Sequence, residues 1–274
     1  MIPPLVWQAL LFVPVGTEKH LASAIRLRPD AVILDLEDAV APEAKPAARA
    51  ALRGAQAELA KAGIDCVLRV NGSLRAMVDD LAAADLAKLR AVMLPKCEDT
   101  RGLRNVAELT TGQVGLIALI ESPLGLRRSG EIAALPEVQG LMLGSEDYAA
   151  TLGVNPNKGA LDLVAAELAI AACPRGLLPI GFPGSIANFR DLELYASQIA
   201  KGRDLGMRAV AAIHPAQLPV IRATLAPSNA EVAWAEKVVA SVEEGNAVFA
   251  LDGAMVDAPV VARARQINAA SKRM

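Results

Sequence analysis

A (β/α)8 TIM barrel with a C-terminal helix-hairpin-helix appendage is the fold class predicted by three features of the 274-residue sequence. Eight short apolar runs recur with helical patterns between them, and alternation of strand with helix predicts a parallel sheet. The length suits one barrel, which takes roughly 250 residues, with a short tail to spare. The composition is 53% hydrophobic but only 3% aromatic. Its core must therefore be built from Ala, Val, Leu and Ile, the small and branched side chains that stacked parallel strands use.

The runs are Leu10 to Pro14, Ala31 to Leu36, Cys66 to Val70, Ala91 to Leu94, Gly115 to Ile120, Gly140 to Leu143, Leu178 to Phe182 and Ala209 to Ile213. Helix starts are expected at Thr17, an N-cap before His20-Leu21-Ala22, and at Asn188, before a helix ending near Gly206. A doubly wound open sheet would show the same alternation, since periodicity does not reveal closure; eight units favour the closed barrel. The barrel is expected over residues 1–227. In residues 228–274 Ser228 can cap a helix with apolar positions Val232, Ala235, Val238, Val239 and Val242, ending at Gly245. Asp252-Gly253 between two apolar triplets is a two-residue hairpin signal, and Pro259 can open a last helix. This tail is expected to be a lid or an oligomer arm.

Twenty-eight Lys and Arg against 30 Asp and Glu give a net charge of −2, which provides no electrostatic reason to expect nucleic acid. The apolar stretch Met1 to Val15 is broken by Pro3, Pro4 and Pro14, lacks a basic flank and reaches Glu18 too early for a membrane span, so neither a targeting signal nor a membrane partner is expected. Cys66, Cys97 and Cys173 lack metal-ligand spacing and read as reduced, buried thiols of a cytoplasmic protein. No Walker-type glycine loop or Gly-x-Ser-x-Gly is present, which argues against a nucleotide-binding loop of that kind and a serine hydrolase.

In a barrel the active site forms where strands give way to the following loops. Here strand two runs into Asp35, Glu37 and Asp38, strand three ends with Arg69 and Asn71, strand four with Lys96, strand five with Glu121, strand six with Glu146 and Asp147, and strand eight with His214. Glu121 and Asp147 follow apolar strands on neighbouring staves, a placement that lets their oxygens share one hard cation. Mg2+ is the natural candidate, because it favours carboxylates together with water and substrate oxygens. His20 reads as a surface residue and His214 as a packed loop histidine.

Leu11-Phe12-Val13-Pro14, Val32 through Val40, Arg69-Val70-Asn71, Leu94-Pro95-Lys96, Ile120-Glu121-Ser122-Pro123, Gly144-Ser145-Glu146-Asp147, Ile213 through Gln217 and Asp252 through Pro259 together resemble the citrate lyase beta-subunit-like family. That family includes citramalyl-CoA and malyl-CoA lyases. The resemblance implies that Glu121 and Asp147 ligate magnesium, that Arg69 holds substrate oxygens beside Glu121 and Glu146, and that Asp257 is a lid acid/base from a neighbouring subunit. It further implies that Glu37 and Asp38 orient metal-bound water and that Lys45 and Arg49 lie near a coenzyme A pocket. The expected activity is reversible cleavage of a 3-hydroxyacyl-CoA to a 2-oxo acid and an acyl-CoA, in a homotrimer with shared sites. A CoA-independent pyruvate aldolase, a malyl-CoA thioesterase and a non-catalytic acyl-CoA-binding subunit are the alternatives. Gln8 and Val15 stand where relatives commonly have Arg and Gly, and the loop Gly181 to Ile186 lacks their acidic residues.

Overall fold

The computed structural model describes residues 2–243 and 248–271. Eight parallel strands form one sheet in the order β7-β6-β5-β4-β3-β2-β1-β8. They are β1 (Ala9–Pro14), β2 (Ala31–Asp35), β3 (Asp65–Arg69), β4 (Ala91–Leu94), β5 (Gly115–Ile120), β6 (Val138–Leu143), β7 (Leu178–Ile180) and β8 (Val210–Ala212). The seam between β7 and β8 is a single bridge, Ile180 to Ala209, reinforced where the Gly181 amide donates to the Ala209 carbonyl at 2.7 Å. This closes the sheet into a TIM barrel. Between β5 and β6 the register shifts after Leu116, leaving Gln139 without a partner on β5, as in a β-bulge.

Each strand leads into helix: α1 (Glu18–Leu27), α2 (Lys45–Ala62), α3 (Leu74–Ala83), α4 (Arg101–Leu109), α5 (Pro123–Arg127) with α6 (Ser129–Ala133), α7 (Ser145–Leu152) with α8 (Asp162–Ala172), α9 (Leu192–Asp204) and α10 (Gln217–Leu225). Local sequence explains several ends. Ser73 and Ser122 cap α3 and α5 through their hydroxyl oxygens, and Gly63 and Gly153 end α2 and α7 in the left-handed conformation. Two expected caps differ. The Thr17 hydroxyl donates back to the Pro14 carbonyl rather than accepting from helix amides, and Asp191, not Asn188, caps α9, accepting from the Leu194 amide at 3.0 Å. Asn188 lies three residues earlier and accepts from the Asp191 amide. Both residue types make local turns, and the one adjoining the first helical residue becomes the cap.

Inside the barrel, alternate residues of each strand meet: Leu10, Ala31, Ile33, Val67, Ala91, Met93, Ile117, Leu119, Met142, Ile180 and Ala211 form one buried cluster, joined by Leu5 and Trp7. The apolar start of the chain therefore belongs to the barrel core. Trp7 donates from its indole to Asp65 at 2.7 Å, which satisfies its one polar group. Cys66 and Cys97 are buried, and burial pushes the Cys66 thiol up to about 12. Cys173, expected to be buried, is exposed, because it lies in the short helical turn that leaves α8.

The chain divides into two compact units, Met1–Thr224 and Leu225–Met274. In the second, α11 (Asn229–Glu243) and α12 (Ala258–Ser271) flank the hairpin β9 (Phe249–Leu251) and β10 (Ala254–Val256). Ser228 and Glu231 exchange side-chain bonds with each other's backbone amides, a reciprocal cap. Asp252 and Gly253 both have positive φ, 51° and 81°, as a two-residue turn of this hand requires. Ala235, Val238, Val256, Val261 and Ala264 form this unit's own core. Gly245, expected to end α11, lies outside the described residues. Among the described residues no helix is long and apolar enough to cross a membrane.

The barrel wall has little slack at α5. A Cβ built on Gly125 would sit 2.3 Å from the Cys97 carbonyl oxygen, whereas one on Gly130 meets nothing within 4 Å. Gly125→Ala should lower unfolding free energy by about 1–3 kcal/mol, and Gly130→Ala should change it by no more than about 1 kcal/mol. Urea midpoints at fixed slope measure both, and equal midpoints for the two variants would contradict this packing.

Candidate active site

Period-two alternation carries the core pattern one step further into the mouth of the barrel. Two residues beyond the buried Ile33, Val67 and Leu119 come Asp35, Arg69 and Glu121, which line a cavity of about 380 Å³ at the carboxyl ends of the strands. Asp38, Glu146 and Asp147 complete its polar side. Among the described residues five carboxyl groups thus share the lining with one cation, Arg69.

That cation is firmly held. Arg69 donates from Nε and one terminal nitrogen to the two oxygens of Asp35, at 2.8 and 2.6 Å, and its other terminal nitrogen is 3.0 Å from Glu37. Phe12 lies 5.0 Å from the guanidinium carbon. Burial opposes the charge on Arg69, but the bond to Asp35 and the charges of Asp35, Glu37 and Asp38 outweigh it and raise its pKa. Asp35, only 1% exposed, also accepts from the amides of Glu37 and Ala39. Burial pushes the Glu37 carboxyl up, against the pull of Lys96, whose ammonium is 2.7 Å from Glu37, and of Arg69.

Glu121 is buried and Asp147 is exposed at the start of α7. The Lys96 amide donates to one Glu121 oxygen at 2.6 Å, from a backbone with φ of 52°, a conformation uncommon outside glycine and frequent at functional sites. Burial pushes the Glu121 carboxyl up to about 8, opposed by the Lys96 amide and assisted by the bond and charge of Asp147. A pair of acids so close, one of them reluctant to ionise, suits a divalent cation. Among the described residues no group of three or more His, Cys, Asp or Glu side chains could hold a metal. Two carboxylates with the remaining positions left to water and substrate oxygens match the habits of Mg2+. Gly144 makes room for this arrangement, since a Cβ there would fall 2.4 Å from the Glu121 side chain.

The loops after β6, β7 and β8 are tied together. The Ser185 hydroxyl donates to Glu146, while the Ser185 amide and the Gln198 amide group both donate to Asn157 at 2.8 Å. Gln217, fully buried, accepts from the amides of Ile213 and His214 and donates to the Ile186 carbonyl at 3.0 Å. Sequence places Lys96 at the mouth as a strand-end residue but does not announce its amide contact to Glu121, nor any role for Gly144, Asn157 or Gln217. Backbone donors and side-chain clearance leave no trace in residue type, although Gln217 sits in a motif that the sequence does display.

The other expected residues fall elsewhere. Lys45 donates to Asn71, and Arg49 donates to Asp80 at 2.7 Å; Asp80 in turn accepts from the amide and side chain of Asn71. This network, buried at Asn71 and Asp80, anchors the loop after β3, and neither Lys45 nor Arg49 lines the cavity. His214 is exposed, accepts from the Ala216 amide and stacks on Phe189 with centroids 4.8 Å apart. His20 is exposed on α1. Asp257 belongs to the second unit, where it accepts from the Val260 amide at the start of α12.

Fold and cavity together define a barrel protein with an acidic, cation-ready mouth. The chain belongs to the HpcH/HpaI aldolase/citrate lyase family, whose pattern it matches over residues 8–215. It is 33% identical to the (3S)-malyl-CoA thioesterase of Cereibacter sphaeroides, covering 95% of this chain and 93% of that one. It is 35% identical to a citrate lyase subunit beta-like protein of Mycobacterium tuberculosis, over 93% of this chain and 92% of that one. The crystal structure of CitE from M. tuberculosis in complex with magnesium, acetoacetate and coenzyme A superposes with a TM-score of 0.80 at 32% identity, covering 97% of this chain and 98% of that chain.

Glu121 also gives the metal-free protein a pH signature. Its ordinary value is 4.5 and its folded value about 8, so across that interval the folded state keeps a proton that the unfolded chain has lost. Its contribution to stability is therefore complete below the unfolded value and is lost as pH rises through the folded one. In EDTA, the melting temperature of the wild type should fall more between pH 5 and 8 than that of Glu121→Gln. Identical pH dependences would remove Glu121 from this role.

Proposed function

We propose that this protein is a magnesium-dependent carbon–carbon lyase that reversibly cleaves a 3-hydroxyacyl-CoA into a 2-oxo acid and a short acyl-CoA. The observation carrying the reading is the Glu121–Asp147 pair beside a firmly held Arg69 in one cavity. Support also comes from the CitE structure in complex with magnesium, acetoacetate and coenzyme A.

Glu121 and Asp147 would hold the metal, which when bound supplies Lewis-acid polarisation of substrate oxygens. Arg69, fixed by Asp35 and Glu37, presents its remaining N–H groups to the carboxylate and the neighbouring oxygen of the 2-oxo acid portion. As the carbon–carbon bond breaks, the carbinol oxygen would pass its proton to a carboxylate lining the cavity and become the oxo group, and the bonding pair would pass to the α-carbon of the acyl-CoA as an enolate. Asp257, from a neighbouring copy, would deliver a proton to that carbon and take one from it in the condensation direction. Glu146, steadied by Ser185, would contact substrate; Glu37 and Asp38 would order the polar rim, and Lys45 and Arg49 would lie toward coenzyme A. A cytoplasmic homotrimer with shared sites completes the reading.

A second reading, hydrolysis of malyl-CoA on the same site, is favoured by the likeness to the (3S)-malyl-CoA thioesterase. Product analysis separates them: a lyase releases a 2-oxo acid and acyl-CoA, a thioesterase releases a hydroxy acid and free CoA. In either case Glu121→Gln and Asp147→Asn should abolish calorimetric Mg2+ binding and lower turnover by at least about 100-fold while circular dichroism stays unchanged. Full activity in EDTA, or in either variant, would refute the metal assignment.

A further inference from the structure

The cavity is divided by polarity. Its charges stand on the side of β2, β3, β5 and β6, whereas the side formed by β7, β8 and β1 presents Phe182, Ile186, Ala211, Ile213, Phe12 and Pro14. Among the described residues no side chain lining that second arc carries a charge. Several of its backbone donors are already engaged. The amides of Gly181, Ser185, Ala187, Ile213 and His214 already donate to the Ala209 carbonyl, Asn157, Glu146 and Gln217. The arc is also fixed in place, since buried Gln217 binds the Ile186 carbonyl on one loop and the Ile213 amide on the next, and Glu146 accepts from Ser185. A ligand group turned toward it meets a preformed apolar surface.

From this we infer that the 2-oxo acid taken or released by this chain carries a short alkyl substituent beyond its oxo carbon, as in pyruvate or 2-oxobutyrate, and not a second carboxylate. The inference rests on the reading that the site binds a 2-oxo acid on a divalent metal. With its carboxylate and oxo oxygen directed to the acidic, metal-binding side and to Arg69, the remaining substituent faces the apolar arc. A methyl or ethyl group is desolvated there at a gain. A carboxylate would lose its water with no lining cation on that arc to meet it, in a cavity where, among the described residues, Arg69 is the one lining cation against five carboxyls. Ile213 and Ile186 are thus specificity-determining residues, and Gln217 positions them.

The test is calorimetric binding of pyruvate, 2-oxobutyrate and freshly dissolved oxaloacetate to wild-type protein in saturating Mg2+, without any CoA thioester. Pyruvate and 2-oxobutyrate should bind at least about tenfold more tightly than oxaloacetate. Ile213→Arg, at a rim position 44% exposed and therefore tolerant of a longer side chain, should erase or reverse that ratio. Oxaloacetate binding as tightly as pyruvate to the wild type would overturn the inference while leaving the 2-oxo acid reading intact. Failure of all three acids to bind the Mg2+-loaded protein would overturn both.

Discussion

The fork between Arg69 and Asp35 is the constraint on which the mouth of this barrel depends. A guanidinium whose side chain is only 11% exposed needs opposite charge with matched geometry, and Asp35 supplies both oxygens from the adjacent strand. The partners are in register, Asp35 opposite Arg69, so the pairing of β2 with β3 sets the fork. Glu37 then closes on the third nitrogen and Lys96 on Glu37, and the Lys96 amide reaches Glu121. One chain of charge-assisted contacts therefore links the ends of strands two, three, four and five. Its members are too costly to leave unpaired, and that cost is what holds the polar groups in one arrangement before any ligand arrives.

The opposite side of the mouth is organised by neutral groups. Gln217 and Asn157 bind loop backbones and so hold apolar side chains in place without adding charge, and Gly184 lies so close to Gln198 that a Cβ would come within 2.2 Å of its amide oxygen. A site with charge gathered on one arc and hydrocarbon on the other can orient a small amphipathic acid by its two ends.

Much of this was legible in the sequence. The runs Ala91 to Leu94 and Gly115 to Ile120 coincide with β4 and β5. Elsewhere strand ends move by a residue or two, as at β7, where Gly181 and Phe182 leave the ladder to line the cavity. Closure was read from the count of eight units and not from any residue at the seam, which is one bridge between backbones. Nor were the contacts of Lys45 and Arg49, whose charges are drawn to Asn71 and buried Asp80 nearby. The strand-end acids stood out because apolar runs lead straight into them, while the Lys96 amide, the clearance at Gly144 and the staple at Gln217 depend on three-dimensional neighbours that residue type does not announce.

If the fork to Asp35 is what readies Arg69 for a substrate acid, its loss should affect the acid and spare the metal. Binding of Mn2+ followed by electron paramagnetic resonance, then binding of pyruvate to the Mn2+-loaded protein, tests this in Asp35→Asn beside the wild type. The account predicts Mn2+ affinity within about threefold of the wild type, because Glu121 and Asp147 are untouched, and pyruvate affinity reduced at least about tenfold. Wild-type pyruvate affinity in Asp35→Asn would contradict it.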